Sequence, residues 1–246
     1  MDPAVLRDDM VDSLRHESKA VVGSESVDVA MRTVPREPFV EEESAAYADR
    51  SFERLGTRVL SPSAAGRLFE ALAVRPDDDV LVVGVGVGYT AAVAAEIAGE
   101  ANVQGVDIAR QLVHDARSNL ERAGYPGVLV DRRDGACGFD EYAPYDRILL
   151  EAAAVEPPAA LVDQLAPGGR LVMPLGTTAQ ELVAVEDGEP VAEFGTVAYQ
   201  PMLVEGEQPH GVERNRTHRE DRQRARRDAE RRKGWEQSWI DWDERI

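Results

Sequence analysis

Lysine is nearly absent from this sequence. Lys19 and Lys233 are the only two in 246 residues, and arginine supplies the rest of the 28 basic side chains set against 46 acidic ones. A formal net charge of −18 leaves no clustered cationic field for a phosphate backbone, which argues against nucleic acid as a default partner. So large an acid surplus points instead to a cytoplasm rich in salt, where a Debye length of about 3 Å at 1 M screens self-repulsion. Cysteine is limited to Cys137, so no internal disulfide can form. The histidines, His16, His114, His210 and His218, are scattered without ligand spacing, so no bound catalytic metal is expected. No apolar run reaches bilayer length, and Met1 to Met10 lacks a cationic start ahead of an apolar stretch. No membrane partner is therefore expected, and the location expected is cytoplasmic. Tryptophan does not occur before Trp235.

What the chain does have is a hydrophobic fraction of 43% and a glycine-rich turn set between two regular patterns. Asp79 to Val83 reads as a strand, Gly84-Val85-Gly86-Val87-Gly88-Tyr89 as a tight loop, and Thr90 to Ala98 as an alanine-rich helix. Glycines there let backbone N–H groups approach a ligand at a helix start, where the dipole favours an anion, although such turns also serve to pack a helix tightly on a sheet. A dinucleotide fingerprint requires a small residue at position 89, and Tyr89 does not meet that requirement. The alternation of Gly84, Gly86 and Gly88 resembles instead the loop of S-adenosylmethionine-dependent methyltransferases. Asn102 to Asp107 reads as a second strand ending in an acid at the interval where a carboxylate accepts both hydroxyls of a ribose diol. The bland alternative is that Asp107 caps the following helix.

Strand-like runs at 79–83, 103–106, 128–131, 146–151 and 170–174 alternate with helical patterns at 89–99, 110–123 and 158–165. This predicts an α/β domain, a mostly parallel sheet with helices on both faces. The Gly84 to Gly88 loop, Asp107, Asp134 and Glu151 would converge at the carboxyl edge of that sheet. Residues 181–185 and 194–198 alternate as antiparallel edge strands around a turn at 186–190. Ahead of the core, Val5, Leu6, Met10, Val11 and Leu14, then Val27, Val29, Ala30 and Val34, recur at helical spacing.

Several phrases are more specific than any periodicity. Met31-Arg32-Thr33-Val34-Pro35-Arg36-Glu37-Pro38-Phe39-Val40 and Ala46-Tyr47-Ala48-Asp49-Arg50 resemble the opening of protein-L-isoaspartate O-methyltransferases. The likeness continues to about residue 204 through Asp134-Gly135, Ala143 to Ile148, Pro167 to Gly176 and Gln180-Glu181-Leu182. It implies a Rossmann-like class I methyltransferase fold, with S-adenosyl-L-methionine as cofactor and isoaspartyl-containing proteins or peptides as partners. The chemistry implied is methyl transfer to an isoaspartyl carboxylate, a protein repair activity. That carboxylate is already ionised at neutral pH, so the site must supply alignment rather than a general base. By the same resemblance Gly84, Gly86, Gly88, Asp107, Asp134 and Gly135 bind the cofactor, Asp107 on the ribose and Asp134 near the adenine; Tyr89 is expected at the methionine end of the pocket or in packing, and Glu151, which departs from the family, is expected to accept from the cofactor's amino group.

Three positions depart from the family pattern. A serine expected two residues before Pro62 is Leu60 here. Either Ser61 supplies the hydroxyl that holds the acceptor carboxylate, or Arg58 replaces it through a charge-assisted pair. The alternative is that Ser61 caps a helix beginning at Pro62 and Arg58 is a solvated surface residue. The family's acid at position 82 is Val82, and its small hydroxyl residue at position 151 is Glu151. A carboxylate there favours a sulfonium and repels a carboxylate substrate. These departures keep two rival readings in view: a methyltransferase acting on another nucleophile, or a non-catalytic relative acting as an interaction module.

The expected division is 1–62 as helical lead-in and substrate loop, 63–206 as methyltransferase core and 207–246 as a charged tail. In the tail Arg214 to Lys233 alternate with acids as on a solvated helix. Trp235, Trp239 and Trp242 then follow at helical spacing, a face suited to docking on the core or on a protein partner.

Overall fold

The computed structural model describes residues 2–54 and 57–203. The expected tail at 207–246 lies outside the described residues.

Helix α1 (Pro3–Arg15) starts where Asp2 accepts the Ala4 amide at 3.0 Å ahead of a proline in the first turn. It buries Met10, Val11 and Leu14. Helix α2 (Glu25–Thr33) buries Val27, Ala30 and Met31. Val5 and Val29, expected on the apolar stripes, instead face outward, 48% and 49% exposed. A helix of this length presses only one face on its neighbours, and in α2 that face is made by Val27, Ala30 and Met31. Arg32 ties the two helices together, reaching Asp12 at 2.6 Å and Asp28 at 3.1 Å.

The segment expected to be a plain loop before the core contains a small hairpin. Strand β1 (Phe52–Arg54) pairs antiparallel with β2 (Thr57–Val59). Helix α3 (Pro62–Leu72) follows, and the core then alternates: β3 (Val80–Val83), α4 (Tyr89–Ala98), β4 (Val103–Asp107), α5 (Arg110–Ala123), β5 (Leu129–Arg132) and β6 (Tyr145–Leu150). After the short α6 (Ala159–Asp163) come β7 (Leu165–Gly176), β8 (Gln180–Glu186) and β9 (Glu189–Val197). The helix expected to continue to 165 stops at Asp163, because Leu165 pairs with Tyr145 and β7 runs on through Pro167-Gly168-Gly169.

These strands form one sheet in the order β5-β4-β3-β6-β7-β8-β9, parallel from β5 to β7 and antiparallel at β8 and β9. Strand β3 is buried along its whole length, and its side chains divide by parity. Val80 and Val82 join the cluster that holds α2, α3 and α4, while Leu81 and Val83 join Ile148, Leu150 and Leu161 on the other face. The chain leaves β3 toward β4 and later returns past β3 to β6, which opens a crevice at the carboxyl end of β3. Among the described residues no helix is long and apolar enough to cross a membrane.

Candidate active site

The turn after β3 requires glycine. Gly84, Gly86 and Gly88 have φ of 76°, 56° and 96°, a region that L side chains rarely adopt. Gly86 lies under the hairpin, 3.6 Å from Thr57 Oγ1 at its would-be Cβ. Gly88 serves packing: a Cβ there would press on Leu120 and Ala116 of α5, at 3.2 and 3.4 Å. Thr57, Arg58 and Leu60 from the hairpin side, Gly84, Gly86, Tyr89 and Thr90 from the turn, Glu151 from the end of β6, and Ala198 to Gln200 line a pocket at this edge. The last segment arrives because Ala153 pairs across to it, its amide donating to Gln200 O at 2.8 Å. Gln180 grips the backbone of Tyr199 through both ends of its amide, at 2.7 and 3.0 Å.

Asp107 ends β4 beside the glycine turn. Its Oδ2 accepts the Gly86 amide at 3.0 Å and its Oδ1 the Ala109 amide at 2.9 Å. Each oxygen therefore keeps a lone pair for a further donor such as a hydroxyl. Burial pushes this carboxyl above the usual range, and the backbone amides of Ala109, Gly86 and Ile108 oppose the shift. Asp134 accepts the Ala136 amide at 2.9 Å and opens the turn Gly135–Cys137. At Gly135 a Cβ would collide with Val83 Cγ1, so this turn closes directly on the end of β3. Asp107, Asp134, Gly135 and Gly88 stand outside the pocket lining proper, which covers the β3–β6 side of the crevice.

Glu151 does not face bulk water as a strand-end acid commonly does. Its amide donates to Val83 O at 2.8 Å, and its side chain packs beside Gly84 at the foot of the pocket. The Thr90 hydroxyl donates to Oε1. Burial pushes the carboxyl up to about 8; the Thr90 hydrogen bond pulls the other way, and the charge of Asp107 adds to the rise. Tyr199 is held protonated well above its ordinary range by burial and by the neighbouring Glu151 charge.

Of the two residues expected to hold an acceptor, Arg58 is exposed on β2 at the wall of the pocket. Ser61 is placed otherwise. It N-caps α3, its hydroxyl oxygen accepting the Ala64 amide at 3.2 Å, and it is not among the lining residues. The helix-cap alternative therefore describes its position. Leu60 is buried and offers no donor, and Val82 is sealed in the core.

Sequence reasoning missed Thr90, Thr57, Tyr199 and Arg36. Arg36 is wholly buried, its Nε–H donating to Ala46 O at 2.8 Å and its Nη2–H to Leu60 O, with the guanidinium 4.5 Å over the Tyr89 ring. It carries the Leu60 carbonyl on one side and the pocket-lining ring on the other. The Val34-Pro35-Arg36 phrase was the available signal. Tyr89 packs edge-on to Phe39 at 5.6 Å, and its hydroxyl is buried without a hydrogen-bond partner among the described residues. Among those residues no cluster of His, Cys, Asp or Glu is arranged to hold a metal.

A parallel sheet with a reversed order at β3, a glycine turn at that switch and an acid closing the next strand define a Rossmann-like α/β protein with a nucleoside-type crevice. The family described as Protein-L-isoaspartate(D-aspartate) O-methyltransferase (PCMT) matches residues 6–203. The chain belongs to that family. It is 40% identical over 186 residues to the protein-L-isoaspartate O-methyltransferase of Aeropyrum pernix, covering 74% of this chain and 71% of that one. It is 37% identical over 210 residues to protein-L-isoaspartate O-methyltransferase 2 of Archaeoglobus fulgidus, covering 82% and 94%. A Plasmodium falciparum protein described as a protein-L-isoaspartate O-methyltransferase, solved with S-adenosyl-L-homocysteine, shares the fold at a TM-score of 0.71. That pair is 20% identical and covers 80% of this chain and 98% of the other.

Proposed function

We propose that this protein transfers the methyl group of S-adenosyl-L-methionine to the carboxylate of L-isoaspartyl or D-aspartyl residues in damaged proteins. The observation that carries the reading is the joining of Asp107 to the Gly86 amide, which sets an acid with free lone pairs beside a glycine turn that a nucleoside could approach. The residues fit the donor chemically. Asp107 would take the ribose hydroxyls, Asp134 and Gly135 the adenine side, and Gly84 and Gly86 with Tyr89 the methionine side. Gly88 would keep the turn closed on α5. When bound, the donor supplies a methyl group on a positively charged sulfur.

The remaining work falls to the chain. Residues 1–62 deliver the acceptor wall through Thr57, Arg58 and Leu60, and residues 63–206 hold the donor. Arg58, at the exposed rim, attracts a carboxylate; Leu60 and Tyr89 keep water from its far side. Because the acceptor is ionised at neutral pH, no residue needs to remove a proton, and in-line placement supplies most of the acceleration. The acid-rich composition suits a cytoplasm of high salt, and isoaspartyl proteins rather than nucleic acids or membranes are the partners.

The test is methyl transfer to an isoaspartyl peptide beside its aspartyl twin, with calorimetry of S-adenosyl-L-methionine. Transfer to the isoaspartyl peptide alone supports the reading. Donor binding with no transfer to either peptide would move the activity to another nucleophile, and no donor binding would leave an interaction module.

A further inference from the structure

Glu151 makes one hydrogen bond, and its other oxygen, Oε2, makes none among the described residues. The groups that face it are Asp107 from the end of β4, Tyr89 and Thr90 from the start of α4, and Tyr199 from the segment after β9. Arg58 of β2 lines the same pocket, yet Glu151 has no ion pair with any basic side chain among the described residues. A half-buried acid that makes no ion pair and feels the charge of Asp107 is pushed toward its protonated form. On the hairpin side of the pocket Thr57 brings a hydroxyl beside Gly86, whereas Ser61 is engaged at the start of α3 and the Leu60 side chain has no donor to give.

From this arrangement we infer that Glu151 acts as a neutral acid, donating its Oε2–H to the acceptor carboxylate and so helping to hold the nucleophile in a pocket where Leu60 and Ser61 offer it no hydroxyl. The inference rests on the methyl-transfer reading above. In that reaction an acceptor oxygen forms a bond to the methyl carbon, the carbon–sulfur bond breaks and its electron pair stays on sulfur. An anion and a cation thus become a neutral ester and a neutral thioether. An ionised Glu151 would oppose this twice, by repelling the incoming carboxylate and by stabilising the cation that must disappear. A protonated Glu151 does neither, and its bond to an anionic oxygen is of the stronger, charge-assisted kind. Burial pushing this carboxyl up to about 8 places the neutral form at physiological pH. Thr90 fixes the rotamer by occupying Oε1, which leaves the protonated oxygen for the ligand.

Three proteins decide the matter: the full chain, Glu151→Gln and Glu151→Ala. Carbon-detected NMR of the ligand-free protein should show one glutamate titrating near 8 that vanishes in Glu151→Gln; a glutamate set that titrates wholly below 5 overturns the inference. With an isoaspartyl peptide, kcat/KM of the parent should hold level from pH 6 to 7.5 and fall above about 8. Glu151→Ala should lose roughly ten- to a hundredfold, mostly through KM for the peptide. Glu151→Gln, whose amide also donates, should recover much of that loss and no longer fall at high pH. S-adenosyl-L-homocysteine should bind all three proteins alike. If transfer instead rises with pH and the Gln variant binds S-adenosyl-L-methionine weakly, Glu151 is an ionised counter-charge and the inference fails. If the parent methylates no isoaspartyl peptide while the NMR titration stands near 8, it is the proposed function that fails.

Discussion

The Gly86 amide donates to Asp107 Oδ2 at 3.0 Å, so the acid that ends β4 holds the glycine turn that ends β3. One carboxylate thereby shapes the turn and keeps lone pairs for a ligand. Replacing Asp107 with Ala should therefore damage two properties together. Loss of the Gly86 and Ala109 hydrogen bonds leaves two amides without their acceptor, costing about 2 kcal/mol of stability. Calorimetry should show donor affinity falling at least roughly tenfold. Asp107→Asn, which keeps one carbonyl acceptor, should recover more stability than affinity. Equal recovery of both would mean the carboxylate serves only the turn.

Glu151 gives the folded protein a pH dependence of definite sign. Its carboxyl titrates at about 4.5 when unperturbed and is pushed up to about 8 by burial in the native state. Between those values the native protein holds a proton that the unfolded chain has released. The stability this group contributes is thus complete below pH 4.5 and is lost as pH rises through 8. Glu151→Gln removes the dependence. Thermal unfolding of the ligand-free proteins should find the variant gaining on the parent from pH 5 to pH 9, and a constant difference would contradict a raised Glu151 carboxyl.

Ser61→Ala separates capping from chemistry. The hydroxyl accepts the Ala64 amide at 3.2 Å, so its loss should cost about 1 kcal/mol and lower the melting temperature by a few degrees. Well below that temperature, kcat/KM for an isoaspartyl peptide should stay within about twofold. A tenfold fall in folded protein would return Ser61 to the acceptor site.

Much of this architecture was legible because it depends on local pattern. The strand, glycine turn and helix at 79–98 and the acid at 107 fall where spacing placed them; the antiparallel edge exists as expected, but its turn tightens to Asp187-Gly188 and β9 begins at Glu189 rather than 194, because Glu186 pairs with Glu189 and Val185 with Pro190. What stayed hidden depends on contacts between distant segments. Thr90 and Glu151 are 61 positions apart and meet only because β3 and β6 are neighbours. Tyr199 reaches the pocket through Ala153 and Gln180, a route no window of sequence displays. The hairpin at 52–59 has strands of three residues each, too short for alternation to register. Arg36 has the composition of a surface residue, and only tertiary packing makes it a buried strut.

That strut can be tested directly. Arg36 is 0% exposed and holds two carbonyls, Ala46 O and Leu60 O, while stacking on Tyr89. Arg36→Met fills similar volume but leaves both carbonyls unpaired, which should cost about 3 kcal/mol in urea unfolding. Because Leu60 lines the acceptor side, KM for an isoaspartyl peptide should rise several-fold while donor affinity changes little. A parallel loss of donor affinity would show that Arg36 supports the whole pocket through Tyr89.

Salt should stabilise the protein, and the competing terms decide the sign. Screening weakens attractive pairs such as Arg32 with Asp8 and Asp12, or Arg170 with Glu186. Exposed pairs of this kind contribute at most about 1 kcal/mol each. Against them stands the mutual repulsion of 46 acidic side chains facing only 28 basic ones. The Debye length shrinks from about 10 Å at 0.1 M to about 3 Å at 1 M, shorter than the spacing of most neighbouring surface charges. The melting temperature should therefore climb with KCl and level off near molar concentration. KCl is the right salt because sulfate also strengthens apolar burial by exclusion. Equal stability in dilute buffer and in molar KCl would show that the acid surplus is not a burden on this fold.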